Sequence, residues 1–243
     1  MDDAKPRHQL HTQTFRGRHT DLMQEIASRL VLANSPRILS FGCSTGAECQ
    51  DFAEIFPNAE IIGVDVNIKA LAKANLINDF RIKFMHSTEE NILSGAPYDI
   101  VFAMNVLCRY PSTEGLDNIS EIYPFYMFDE MIHDLDRYLK PGGVLGMYNC
   151  QYFFDDTKVY SKYAPLMHGV NLHSGWMERY RPDGKRATSI YTTYEGKEYS
   201  REEWRALKAV SPDLRKDSAR HEWVASEIYS GRHTDVSLWI KQA

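Results

Sequence analysis

Residues 38–48 read Ile-Leu-Ser-Phe-Gly-Cys-Ser-Thr-Gly-Ala-Glu. A short apolar run passes into two closely spaced glycines and from there into a helical pattern. Gly42 and Gly46 would let the backbone approach a ligand, and a helix N-terminus offers free N–H groups. Asp65 lies nineteen residues beyond Gly46, at the end of the next apolar run. An acid there can accept from both hydroxyls of a ribose. A plain glycine turn and a helix cap would use the same residue types; the offset favours the nucleotide reading. The turn also selects among nucleotides. A dinucleotide loop needs glycine against its pyrophosphate, and Ser44 stands in that place. A cofactor without phosphate is therefore expected.

These residues need a frame. Strands are expected at 37–41, 60–64, 81–85, 98–103 and 144–148, and helices at 47–56, 68–76 and 129–139. Phe52, Ile55 and Phe56 share one face of the first helix; Met131, Ile132, Leu135 and Leu139 share one face of the last. Pro57 and the step Lys140-Pro141-Gly142-Gly143 stop these two helices. The run 98–103 is apolar on both faces, as in a parallel sheet with helices on both sides. The tail reads differently. Residues 176–194 alternate around Pro182-Asp183-Gly184, a hairpin signal, with a second turn at Glu195-Gly196. Ser200 and Glu203 form a capping box that opens a helix, and 235–241 reads as a closing edge strand. The expectation is one α/β domain over 36–243 with a small hairpin-and-helix elaboration from about 151. A helical cap over 1–35, with its helix at about 20–33, would cover the ligand cleft. Gly-Arg-His-Thr-Asp occurs at 17–21 and 231–235 with unmatched flanks, so it is not read as a repeat.

The glycine turn, Asp65 and the Leu139-Lys-Pro-Gly-Gly143 step resemble the class I S-adenosylmethionine (SAM)-dependent methyltransferases, over about residues 37–149. That resemblance implies a Rossmann-like fold and SAM as cofactor. A narrower resemblance is to the CheR-type group, the chemotaxis receptor glutamate methyltransferases. Gly42-Cys43-Ser44-Thr45-Gly46-Ala47-Glu48 matches their Gly-Cys-Ser-x-Gly-Glu-Glu except at Ala47. Met104-Asn105-Val106-Leu107 keeps all but the arginine of Arg-Asn-Val-Leu. Thr12, Phe15 and Arg16 match their N-terminal Thr-x-Phe-Phe-Arg. By this resemblance Thr12 and Arg16 lie near the methionine end of SAM and Glu48 takes its α-amino group. Ser87 and Thr88 sit where relatives contact adenine, and Asn105 and Val106 line the cofactor. The implied cofactor set is Thr12, Arg16, Gly42, Cys43, Ser44, Gly46, Glu48, Asp65, Val66, Ser87, Thr88, Asn105 and Val106. The chain departs from many class I members in carrying Ser40 where they have a first-strand acid. It shows no clear copy of the CheR receptor-docking insertion.

The expected reaction is methyl transfer from SAM to a small molecule or a protein carboxylate, releasing S-adenosylhomocysteine (SAH). A non-catalytic SAM-binding regulator would keep Gly46 and Asp65 but close the methyl end. A nicotinamide-dependent oxidoreductase is disfavoured by Ser44. Arg16 and Tyr110 are the candidate catalytic residues. The Arg16 guanidinium could pair bidentately with a carboxylate of cofactor or acceptor, or belong with Arg18 to a solvated face. Arg109 and Tyr110 follow the fourth strand, where the methyl group would lie; Tyr110 could orient an acceptor or pack before Pro111. Tyr148 and Asn149 follow the fifth strand. His133 reads as a surface or packing residue. His168, His173, His221 and His233 are bases by residue type alone. The aromatics of 123–128 and 148–154 could wall an acceptor pocket or form ordinary core.

The chain has 243 residues, 43% hydrophobic and 25% charged, the balance of a globular domain. A net charge of −5 argues against holding nucleic acid by bulk charge. Cys43, Cys49, Cys108 and Cys150 form no C-x-x-C pair and no zinc spacing, so reduced thiols and no metal are expected. The apolar run 98–108 is too short to span a bilayer, and Met1-Asp2-Asp3-Ala4-Lys5-Pro6 has no apolar signal-peptide core. A cytoplasmic protein without a membrane partner is expected.

Overall fold

The computed structural model describes residues 8, 9, 11–166, 177–211, 220–225 and 236–243. Helix α1 (Thr20–Arg29) is followed by β1 (Arg37–Phe41), α2 (Ala47–Ile55), β2 (Glu60–Asp65), α3 (Ile68–Ala74), β3 (Ile82–His86) and α4 (Glu89–Leu93). Then come β4 (Tyr98–Met104), α5 (Phe125–Tyr138), β5 (Leu139–Tyr148) and β6 (Tyr163–Pro165). The tail adds β7 (Thr188–Tyr194), β8 (Lys197–Ser200), α6 (Arg201–Val210), β9 (Arg220–Ala225) and β10 (Leu238–Lys241).

The main sheet has seven strands in the order β3-β2-β1-β4-β5-β10-β6. The first five run parallel, and β10 lies antiparallel to both β5 and β6. The expected parallel α/β sheet is what the chain forms. Every residue of β4 is buried, which explains its unbroken apolar run: helices cover both faces. On one face α1 and α2 bring Leu22, Met23, Ile26 and Phe52 against Ile38, Ile100 and Phe102; the Phe52 ring meets Phe102 edge-on at 4.9 Å. On the other, α5 brings Phe128, Met131, Ile132 and Leu135 against Leu39, Val101 and Leu145. Chain order reverses between β1 and β4. In open α/β sheets ligands bind at such a switch point, beyond the carboxyl ends of the strands.

Three expectations change. The segment 235–241 was expected at an edge, but β10 sits inside the sheet, between β5 and β6. The expected 20–33 helix is only α1, and Leu22, Met23 and Ile26 tie it into the sheet's core. The cleft is covered instead by the irregular strap before it, residues 8, 9 and 11–19. The tail forms a separate three-stranded sheet, β8-β7-β9, whose third strand pairs across a long sequence separation that local patterning does not report. The Glu195-Gly196 turn joins β7 to β8. The Ser200–Glu203 capping box is present at α6.

Candidate functional site

β1 leaves the sheet through Gly42, at φ 78°. A Cβ there would lie 2.5 Å from Val106 Cγ2, so glycine lets the loops after β1 and β4 pack. Gly46, at φ 85°, caps α2, and a Cβ there would meet Phe84 Cζ at 2.6 Å. The close approach expected of these glycines is therefore to protein side chains. Between them Ser44 is left-handed, at φ 52°, a conformation that costs energy for a residue with a side chain. That turn puts Ser44 N–H on Asp65 Oδ2 at 2.8 Å, while Asn67 N–H donates to Asp65 Oδ1 at 2.7 Å. Each Asp65 oxygen keeps acceptor capacity. Asn105, at φ 58°, and Asn149, at φ 57°, are left-handed too; they follow β4 and β5.

A cavity of about 980 Å³, counted with its open mouth, lies over the carboxyl ends of these strands. Gly42, Cys43, Ser44, Glu48, Asp65, Val66, Ser87, Asn105 and Val106 line it from the sheet side. Thr12, Phe15, Arg18 and His19 line it from the strap. At the Asp65 end, the buried Ser87 hydroxyl has no hydrogen-bond partner among the described residues. An unmet buried hydroxyl costs about 1–3 kcal/mol, which a polar ligand atom would offset. An acid with free lone pairs beside an unmet hydroxyl fits a nucleoside.

The other end is charged. Ser40 Oγ donates to Glu48 Oε1 at 2.7 Å, so the carboxylate missing from the first strand is supplied by α2. Burial pushes the Glu48 carboxyl up to about 7; Asp51 adds to the rise, while the Ser40 hydrogen bond and Arg18 oppose it. Arg18 donates to Asn105 Oδ1 at 3.1 Å and lies 5.4 Å from the Phe15 ring centre. It has no ion pair among the described residues. Asn149 Nδ2 also donates to Asn105 Oδ1, at 2.6 Å. These two donors fix the Asn105 amide, so its Nδ2 faces His19 Nε2 at 3.1 Å and His19 carries its proton on Nδ1. Burial, then Arg18, lowers His19 to about 4, so the ring is neutral. An anionic carboxyl near Arg18 and an ammonium near Glu48 would suit this end.

The strap is tied along its length. His8 Nδ1 lies 2.7 Å from the Tyr123 hydroxyl, and Gln9 Nε2 donates to Cys108 Sγ at 3.0 Å. Ser44 Oγ donates to the Thr12 carbonyl at 2.6 Å, and Gly17 N–H donates to Asp51 Oδ2 at 2.8 Å.

Several expected site residues fall elsewhere. The Arg16 guanidinium pairs with Asp51 and, at 2.6 Å, with Glu54, and is absent from the cavity lining. Two α2 carboxylates satisfy it, and Arg18 takes the place expected for it beside Asn105. Gly46 also lies outside the lining. Thr88 accepts from Asn91 N–H at 3.2 Å, capping α4. The Tyr110 hydroxyl donates to Glu114 at 3.3 Å, with Arg201 5.7 Å from its ring, away from the cavity. His133 is exposed on α5. His168, His173 and His233 lie outside the described residues, and His221 is on β9. Tyr123, Phe128, Tyr152 and Phe154 are core. All four cysteines are buried and free, and a hydrogen bond to Cys49 and burial hold the Cys43 thiol well above its ordinary range.

The sequence reading missed Arg18 as a site residue, and with it Asp51, His8 and His19. One signal was available for Asp51. It stands three residues from Glu48, on the helix side that also carries buried Phe52, and an acid on a buried face wants a reason.

A family model described as a methyltransferase domain matches residues 33–193. The large-subunit ribosomal RNA methyltransferase G of Shewanella amazonensis (strain ATCC BAA-1098 / SB2B) is 28% identical over 132 residues, 50% of this chain and 32% of that protein. The trans-aconitate 2-methyltransferase of Azoarcus sp. (strain BH72) is 24% identical over 133 residues, 55% of this chain and 46% of that protein. The chain thus spans less than half the length of these relatives. One similar solved structure is the plantazolicin methyltransferase BpumL in complex with a desmethylPZN analog and SAH. It is 19% identical, covers 52% of this chain and 43% of that chain, and has a TM-score of 0.37.

Proposed function

Because the chain belongs to the methyltransferase-domain family, we propose that it binds SAM in the strap-covered cavity and transfers its methyl group to an acceptor. The observation that carries this reading is the pairing of two opposite ends in one cavity. Asp65 and Ser87 offer what a nucleoside needs, and Glu48 and Arg18 offer what an amino-acid tail needs. Asp65 would accept from the ribose hydroxyls and Ser87 would meet the base. Glu48 would hold the α-ammonium and Arg18 the carboxylate. SAM, when bound, supplies an electrophilic methyl group on a sulfonium. The protein's part is then positioning and exclusion of water. Asn105, fixed by Arg18 and Asn149, holds the edge of the β4 loop. The strap closes the top through Thr12 and Asp51. His8 also lines the cavity, but its imidazole is lowered to about 4 by burial and then by Arg109, which makes it a weak proton acceptor.

The finer kinship we propose is with the CheR-type group. Glu48, Asn105, Val106, Thr12 and Phe15, which carry that likeness, border the same cavity. A small-molecule acceptor is favoured over a protein one, because the strap covers the cavity. The relative named for trans-aconitate is a precedent for a small acceptor in a similar chain.

Calorimetric titration of the whole protein with SAM, SAH and NAD is the test. The expected result is binding of the first two and none of the third. Tight NAD binding without a response to SAH would overturn the reading.

A further inference from the structure

On the methyltransferase reading above, on which this rests, we propose that His8 recognises the methyl acceptor by donating a hydrogen bond from Nε2 to a carbonyl or carboxylate oxygen on it. Two buried imidazoles, His8 and His19, line the cavity. Their partners fix them in opposite tautomers. Tyr123 is wholly buried, and its hydroxyl proton needs an acceptor. His8 Nδ1, 2.7 Å away, is the hydroxyl's one hydrogen-bond partner among the described residues. The hydroxyl therefore donates, Nδ1 accepts, and the His8 proton sits on Nε2. The two rings meet edge-on with centres 5.5 Å apart, which sets the plane of the imidazole. Nε2 makes no hydrogen bond among the described residues, and it is not one of the buried atoms closed off without a partner. A buried ring that lines the cavity thus has one N–H left to offer it. Burial, then Arg109, lowers this ring to about 4, so at neutral pH it is an uncharged donor.

The strap places that donor away from the nucleoside. Along the sheet the cavity runs from Ser87 after β3 and Asp65 at the end of β2, past the β1 loop, to Asn105 and Val106 after β4. The Thr12 carbonyl lies on Ser44 of the β1 loop, whereas Gln9 and His8 lie on Cys108 and Tyr123, in the chain between β4 and α5. His8 therefore stands at the β4 end, with the β1 loop between it and Asp65. The nucleoside takes the Asp65 end and the amino-acid tail takes Glu48 and Arg18, which leaves the His8 end for the second reactant. Its neighbours on the strap are already engaged. Gln9 Nε2 is on Cys108 and its Oε1 accepts from His11 N–H at 3.1 Å, and His19 Nε2 is on Asn105. A lone N–H asks for an oxygen lone pair. An ammonium brings only donors and would set N–H against N–H, so the same group selects against amine acceptors.

The test uses the full chain saturated with SAH and followed by NMR of its ¹⁵N-labelled histidines. The probes are acetate, acetamide and ethylammonium. The His8 ring should carry its proton on Nε2 before any probe is added; a proton on Nδ1 overturns the proposal. Acetate and acetamide should then bind and shift the Nε2 resonance, while ethylammonium should not; an equal response to ethylammonium overturns it too. His8→Asn keeps an oxygen to accept from the Tyr123 hydroxyl and loses the Nε2 donor. It should bind both oxygen probes roughly three- to tenfold more weakly, and His8→Gln, whose amide reaches the place of Nε2, should recover part of that loss. A loss of SAH affinity in His8→Asn as large as the loss for acetamide would set His8 against the cofactor and overturn the proposal. SAH binding with no response to either oxygen probe overturns it as well and leaves the methyltransferase reading standing. Failure of the wild-type protein to bind SAH overturns the methyltransferase reading itself.

Discussion

Binding of the cofactor should release a proton from Glu48. In the free protein, burial holds this carboxyl at about 7, so close to half of the molecules carry a proton there at neutral pH. An ammonium group placed against it favours the ionised form. Cofactor binding should therefore expel about 0.9 proton at pH 6, about 0.5 at pH 7 and about 0.1 at pH 8. The same linkage makes affinity fall about tenfold for each pH unit below 7. Above about pH 8 the ligand's own amino group loses its charge, so the window for the experiment is pH 6 to 7.5.

Calorimetry in buffers of different ionisation enthalpy reads this directly. The slope of observed enthalpy against buffer enthalpy is the number of protons released. SAH should give the slopes above. 5′-Methylthioadenosine, which lacks the amino-acid tail, should give a slope near zero. Glu48→Gln should abolish the SAH slope and bind SAH with little dependence on pH. A wild-type slope near zero at both pH 6 and pH 7 would mean that Glu48 does not meet the ammonium. The charged end of the cavity would then need another occupant.

Glu48 also predicts the stability of the free protein. Its folded-state value is raised above the ordinary 4.5, so the folded chain binds the extra proton and stability is lost as pH rises from about 4.5 to 7. Thermal melts of wild type and Glu48→Gln should diverge across that range, with the variant flatter; parallel curves would count against it. Arg18→Ala should weaken SAH about tenfold or more, by loss of a charge-assisted contact, and leave 5′-methylthioadenosine unaffected. Arg16→Ala should keep SAH affinity and show its effect as faster proteolysis of the strap; the opposite pattern would return Arg16 to the cofactor. Asp65→Asn should cost roughly ten- to a hundredfold in SAH affinity. Asp65→Ala should also lower the melting temperature, because Ser44 and Asn67 lose the acceptor for their N–H groups.

The parallel sheet was legible because its signals are local. Near-continuous apolar strands, helices with one apolar face and the proline and glycine stops all lie within short windows, and the elements they mark form. β10 was placed at the wrong position because its alternation says only that it is a strand. Its seat between β5 and β6 is set by partners far away in the chain. The short α4 escaped notice because five residues carry no period, and its start is fixed by the Thr88 side chain. That cap is also why Thr88, beside Ser87 in sequence, turns away from the cavity while Ser87 faces a polar need.

Arg16 and Arg18 show the limit more sharply. They stand two residues apart in a segment with no helical or strand period, so nothing in their spacing fixes which of them faces the ligand. The choice is made by α2. Asp51 and Glu54 are one helical step apart, on the surface the strap crosses, and the Gly17 N–H on Asp51 sets the register of that crossing. With that register Arg16 is neutralised on α2, and Arg18 is carried past it to Asn105 with its charge unmatched. Moving the strap by two residues would exchange their roles. The site is thus defined by which cations the protein leaves without an acid, and that is a property of the packed chain.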